Sequence, residues 1–219
     1  MYKRQVYVYG SHDRFNAPIF CVNDYVCWSA PVEDLSEWRY EGVIYRKKQD
    51  PKNPLGYHLL FAPDVCQGPD GRYYLYYAFD FLGIMSVAVC DTPAGEYKFL
   101  GHIHYADGTL WGRRRGDQLP FDPGVLVDDD GRVWLYSGFY NAVPAILTGG
   151  HKLRCDGGTV LELEKDMVTI KTEPRVIFPK KGPGAFQGHE FFEASSIRKE
   201  GKTYIFVYSS RHNLSLIHI

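Results

Sequence analysis

The chain has 219 residues, 45% hydrophobic and 16% aromatic, enough to bury a sizeable core, and its 17 Tyr and 13 Phe suit half-buried strands better than helices. Its 25 Lys and Arg against 26 Asp and Glu leave a net charge of −1, which argues against nucleic acid or an anionic membrane surface as partner and for a neutral one. No apolar run is long enough to span a membrane, and the five cysteines, lacking C-x-x-C spacing, read as unpaired core thiols.

In chain order, both ends read as foreign. Residues 1–5, MYKRQ, can be encoded by GTG TAT AAG AGA CAG with GTG as the initiating codon; its reverse complement reads Leu-Ser-Leu-Ile-His, and the chain ends in LSLIHI. That resembles the inverted end of a transposon used to prepare sequencing libraries, so residues 1–5 and 214–219 are set aside as adapter-encoded. Residues 6–213 are taken as one domain, expected to be part of a longer protein, and the cellular location is left open.

Residues 6–11 (VYVYGS), 25–29 (YVCWS) and 38–44 (WRYEGVI) read as strands, and the basic, Pro-containing stretch 46–54 as a solvated connection. Ala62-Pro63-Asp64 then leads through Asp70-Gly71-Arg72 to YYLYYAF, with further strands at 84–90 and 97–100. In HIHYADGTLWGRRRGD, His102 and His104 alternate on one face. No third metal ligand is visible, so hydrogen-bonded histidines are the better reading, and Arg113 to Arg115 read as a solvated loop. Residues 120–138, PFDPGVLVDDDGRVWLYSG, give two β-branched and aromatic strands joined at an Asp-Gly turn, preceded by Asp122 at the mouth of the first. AVPAILTGG and TVLELEKDMVTI follow. KKGPGAFQG reads as a Gly/Pro loop, and Phe192-Glu193-Ala194 leads through Glu200-Gly201-Lys202 to YIFVYSS.

One pattern therefore occurs three times: an acid at a strand mouth, a turn glycine, then an aromatic strand. Asp64 to Gly71, Asp122 to Gly131 and Glu193 to Gly201 are separated by 7, 9 and 8 positions, which makes the three acids equivalent. The glycines lie 60 and 70 residues apart. That exceeds the roughly 40–50 of common propeller repeats but allows four strands with long connections. The expected fold is all-β, a β-propeller with large blades. Residues 6–11 would be the second strand of a first blade, its inner strand lying upstream, and about three and a half blades are present.

The series YVYGSHD, CWSAPVEDLSEWRYEG, FAPDV, FDPGVLVDDDGRVWLYSG and FFEASSIRKEGKTYIFVYSS resembles glycoside hydrolase family 43. Members are five-bladed propellers that cleave arabinose-, xylose- or galactose-containing glycans. The resemblance covers essentially residues 6–210. It implies an inverting mechanism with a general-base Asp at the head of blade one, a supporting Asp on blade three and a general-acid Glu on blade four. By motif Asp122 matches the supporting Asp and Glu193 the acid. The base would precede Val6, and Asp13, which follows the second strand, does not take its place, so the chain alone is expected to be inactive. An oligo- or polysaccharide substrate is implied, without a cofactor, and a structural calcium is left open for the full-length protein. Oligomeric state and linkage specificity are not readable.

Inverting hydrolysis needs a carboxylic acid to protonate the departing oxygen and a carboxylate to activate water, about 6.5–9.5 Å apart. Glu193 should be held protonated by an apolar wall and by the like charge of Asp122. Glu190 is a rival acid outside the repeat's register. Asp64 reads equally as a substrate contact or a strand-head hydrogen-bond acceptor. Trp28, Phe61 and Phe191 could face a sugar ring, with core packing the ordinary alternative. Two other functions remain at this level. A retaining fructan- or sucrose-type propeller hydrolase should carry Arg-Asp-Pro and Glu-Cys where this chain has Phe-Asp-Pro and Glu-Ala, and a noncatalytic carbohydrate-binding propeller would have no acid on the upstream strand.

Overall fold

The computed structural model describes residues 4–181 and 187–210. These form thirteen strands and one three-residue 3-10 helix, Lys47–Gln49. The strands make four antiparallel meanders, each pairing neighbours in sequence order. The first holds β1 (Gln5–Gly10), β2 (Tyr25–Pro31) and β3 (Arg39–Tyr45), and the second β4 (Asp64–Gln67), β5 (Tyr73–Ala78), β6 (Met85–Cys90) and β7 (Lys98–His102). The third holds β8 (Gly124–Val127), β9 (Val133–Phe139), β10 (Gly157–Leu163) and β11 (Arg175–Pro179), and the fourth β12 (Phe191–Glu200) and β13 (Thr203–Ser210). The all-β partial propeller expected from the repeats is the architecture found.

The period of two in the aromatic strands stacks the blades. Along β5, Leu75 and Tyr77 point into a cluster with Tyr25, Cys27, Ile44 and Tyr45 of blade one, whereas Tyr74 and Tyr76 point into a cluster with Val125, Val133 and Leu135 of blade three. A strand covered on both faces cannot alternate apolar with polar, so YYLYYA is aromatic or aliphatic throughout. Tyrosine suits this position because each buried hydroxyl finds a partner: Tyr76 donates to the carbonyl of Met167 (2.8 Å) and Tyr77 to Asp50 Oδ2 (2.7 Å). All five cysteines are free, with Cys27 and Cys155 buried.

The repeated turns set the register. In blade three, Asp128 N–H donates to the carbonyl of Arg132 (2.8 Å), Gly131 N–H donates to the carbonyl of Asp128 (2.9 Å) and Gly131 takes φ 79°. Blade two repeats this with Gly68, Arg72 and Gly71 at φ 83°. These loops are longer than a two-residue hairpin. Only the glycine takes positive φ, while Asp70 and Asp130 accept the N–H two residues on, at 3.1 and 3.0 Å.

Two sequence expectations change, for stretch 46–54 and for Arg113. Gln5, set aside as adapter-encoded, begins β1 opposite Pro31, because ladder pairing uses main-chain groups whatever the side chain. Stretch 46–54 is not simply solvated: Asp50 and Asn53 are buried, and Asp50 accepts from Tyr77, Lys52 N–H (2.8 Å) and His102 Nε2 (3.0 Å). Arg113 is half-buried, donating to the carbonyls of Leu82, Gly83 and Gly112, and burial lowers its pKa. His104 bonds the carbonyl of Tyr105, so the two histidines have separate partners. Most of the KKGPGAFQG loop, residues 182–186, lies outside the described residues, as do residues 1–3 and 211–219.

Candidate active site

Successive blades present the same two pieces at one end of the molecule: the residues heading the inner strand and the loop after the second strand. Phe61 and Ala62 precede β4, Phe121 and Asp122 precede β8, and Phe192 and Glu193 lie at the head of β12. Ser11, Phe81 and Phe139 belong to the ends or exits of β1, β5 and β9. All of these line one cavity of about 330 Å³, together with Phe20 and Cys21 from the loop between β1 and β2. Their convergence makes β1 the equivalent of β5 and β9. Among the described residues, β1 pairs with β2 alone, whereas β5 and β9 pair on both sides.

Asp122 is held rather than merely placed. Phe121 N–H donates to Ser137 Oγ (2.8 Å), which donates to the carbonyl of Phe121 (2.7 Å), and Gly138 N–H donates to the same carbonyl (2.9 Å). These bonds fix the Phe-Asp-Pro entry onto β9, and Asp122 sits at φ 48°. Asp122 is only 6% exposed, and its Oδ2 accepts the N–H of Ala194 (3.0 Å), the residue after Glu193. Glu193 is half-buried on β12, whose pairing with β13 slips on both sides of it, a bulge that re-aims the side chain. Asp122 and Glu193 thus share one chamber.

The wall is a train of phenylalanines. Phe81 stacks on Phe121 (5.5 Å, 10°), Phe61 meets Phe121 edge-on (5.6 Å, 81°), and Phe139 lies 4.8 Å from Phe121 and 5.9 Å from Phe192. Phe20, 60% exposed, lies 5.3 Å from Phe61 at the rim. In this apolar surround burial pushes the Asp122 carboxyl up to about 7, the Glu193 charge adding to it, against the opposing hydrogen bond from Ala194. Burial also raises Glu193. The sequence reading gave the apolar wall chiefly to Glu193, but the more deeply buried group is Asp122. Two such carboxyls titrate as a pair that retains a proton near neutrality.

The other candidates separate. Asp64 lines an adjacent groove of about 310 Å³ with Tyr7, Val8, Tyr9, Asp122 and Arg198. It accepts Val125 N–H (2.8 Å) and forms an ion pair with Arg198 (2.8 Å). Trp28 lines neither cavity and packs on Tyr40 (4.9 Å) on the open face of blade one. Phe191 is fully buried in the core. Glu190 accepts Gly188 N–H (3.0 Å) and lines neither cavity. Asp13 is exposed and accepts Cys21 N–H (2.6 Å), bracing the loop that carries Phe20 and Cys21. No group of three His, Cys, Asp or Glu among the described residues is placed to hold a metal.

Arg198, Phe81 and Phe139 were missed by sequence reasoning, though the two phenylalanines follow equivalent aromatic strands, a register the repeat itself supplies. The profile of glycosyl hydrolases family 43 matches residues 2–214, a span containing both carboxylates and every wall residue. The chain belongs to that family. A xylosidase/arabinosidase of Thermoclostridium stercorarium is 57% identical over 214 residues, covering 96% of this chain and 43% of the relative. Xylosidase/arabinosidase 43A of Humicola insolens is 30% identical over 244 residues, covering 96% of this chain and 70% of the relative. Among solved structures, an alpha-L-arabinofuranosidase from Clostridium thermocellum superposes with TM-score 0.65 at 25% identity, over 96% of this chain and 61% of the other. A family 43 beta-xylosidase/alpha-arabinofuranosidase from a compost metagenome gives 0.65 at 26% identity, over 94% and 66%. The chain therefore spans less than half the length of its 57%-identical family 43 relative.

Proposed function

We propose that this family 43 chain supplies two of the three carboxylates of an inverting glycosidase acting on arabinose- or xylose-containing glycans. The observation carrying this is the shared Phe-walled chamber in which Asp122 and Glu193, from adjacent blades, both have raised pKa values. Glu193 donates its proton to the glycosidic oxygen as the bond to the anomeric carbon breaks. Water attacks that carbon from the opposite face and gives its proton to a base. Asp122 orients the head of β12 through Ala194 N–H, and burial in the Phe-walled chamber raises the affinity of Glu193 for its proton. Phe61 offers an apolar face to the sugar ring. The base would come from a strand added to the open edge of β1, and without it the 219-residue chain is inactive. The curated relatives of the preceding section, named as xylosidase/arabinosidases, support the substrate class.

The test is Glu193→Gln in a full-length enzyme containing this sequence. Cleavage of natural glycans should fall by about 10²–10⁴-fold while aryl glycosides with good leaving groups are partly spared, because an activated leaving group needs little protonation. Equal loss on both substrates would assign Glu193 a structural part. An upstream strand without an acid would favour a carbohydrate-binding propeller.

A further inference from the structure

Three strained or closely fitted features meet where β8 and β12 abut. Asp122 and Ala194 both hold positive φ, 48° and 63°, a conformation that non-glycine residues keep only where their surroundings fix it. β12 is bulged between Glu193 and Ser196. Gly124 backs directly onto it, so that a Cβ there would lie 2.9 Å from the carbonyl oxygen of Ser195. At Gly124 the two strands meet main chain to main chain, and beside the Asp122–Ala194 hydrogen bond the relative position of the two acids depends on what else ties these strands.

One carboxylate touches both. Asp64, heading β4, accepts Val125 N–H on β8 (2.8 Å) through Oδ2, and Arg198 of β12 through Oδ1 (2.8 Å) and Oδ2 (3.3 Å). Arg198 also donates to the carbonyl of Ile197 (2.6 Å), which fixes the guanidinium against its own strand. Val125 stands three residues after Asp122, and Arg198 five after Glu193. The Asp64 side chain is 11% exposed and that of Arg198 59%, so geometry rather than pair energy is the main contribution.

We infer that Asp64 and Arg198 are positioning residues, a three-blade latch that sets the spacing of Asp122 and Glu193, and that Asp64 is not a substrate contact. The inference rests on the reading that Asp122 and Glu193 carry the chemistry. A fork-shaped guanidinium on a carboxylate that also holds a main-chain N–H fixes distance and angle together, which an ammonium would do only in part. Losing it frees the bulge to relax, moving Glu193 relative to Asp122 without emptying the chamber.

The experiment uses Arg198→Met, Arg198→Lys, Asp64→Asn and the Asp64→Asn/Arg198→Met pair in a full-length enzyme containing this sequence. Arg198→Met should lower kcat about 10–100-fold, the cost of roughly an ångström of misplacement, with KM within about twofold of the parent. The acid-side limb of the pH profile should shift, Arg198→Lys should recover part of the rate, and the double variant should be no slower than Arg198→Met. A raised KM with kcat retained would overturn the latch by making Asp64 or Arg198 a substrate contact. A lowered melting temperature with kcat and pH profile unchanged would overturn it by reducing the pair to general structure. A second readout needs no turnover: carbon-13 carboxyl titration of Asp122 in the 219-residue chain, where Glu193, Cys21 and Tyr25 are its titrating neighbours. Its midpoint should move in Arg198→Lys, and an unmoved midpoint would refute the latch. If the parent enzyme cleaves no glycan, the function reading fails and the titration still decides the inference.

Discussion

Replacing Asp122 by Asn should stabilise the fold at alkaline pH and leave it nearly unchanged in acid. An ordinary aspartate titrates near 3.8, whereas buried Asp122 titrates at about 7 in the folded chain. Below about pH 4 the group is protonated in both states and contributes nothing to the difference. Between about 4 and 7 the unfolded chain releases a proton that the folded chain retains, so stability declines as pH rises, and above 7 the penalty is complete. At about 1.4 kcal/mol per pK step that interval is worth at most about 4 kcal/mol, and relaxation around Glu193 should reduce it to roughly 2–3. Asparagine has the same shape, carries no charge and can still accept the Ala194 N–H. Urea unfolding of both proteins at pH 4.5, 6 and 8 should therefore give curves that diverge with pH, the variant being the more stable at pH 8. A constant difference across that range, or a less stable variant at pH 8, would refute the claim that burial holds the carboxyl up.

Asp50→Ala should cost about 3–5 kcal/mol in urea unfolding, because it leaves the donors of Tyr77, Lys52 N–H and His102 unmatched in a buried site, and a loss below 1 kcal/mol would contradict that network. Phe121→Ala should cost about 3–5 kcal/mol by opening a cavity between Phe61, Phe81 and Phe139, measurable as a fall in urea midpoint. The Cys27 thiol, buried and raised to about 12 by that burial and by the Glu41 charge, should resist iodoacetamide at pH 7.5 until urea unfolds the chain, as counted by mass spectrometry.

The sequence by itself determined what is local and periodic. Aromatic strands such as YYLYYA, the turn glycines Gly71, Gly131 and Gly201, and acids at fixed distances before them identify blades, because strand pairing and positive φ are imposed by a few residues at short range. The same repeat made Asp64, Asp122 and Glu193 equivalent, and equivalence in a meander puts them at one end of the molecule. Their partners were not legible. Asp64 meets Arg198, 134 positions away, and Asp122 meets Ala194, 72 positions away. Such partners depend on how blades pack, which no spacing within a blade encodes. Burial of Asp50 in a stretch that reads as solvent-exposed, and the gathering of six phenylalanines into one wall, were likewise decided only by the tertiary structure. A side chain's burial, and with it the charge a carboxyl can carry, is set by residues from other blades.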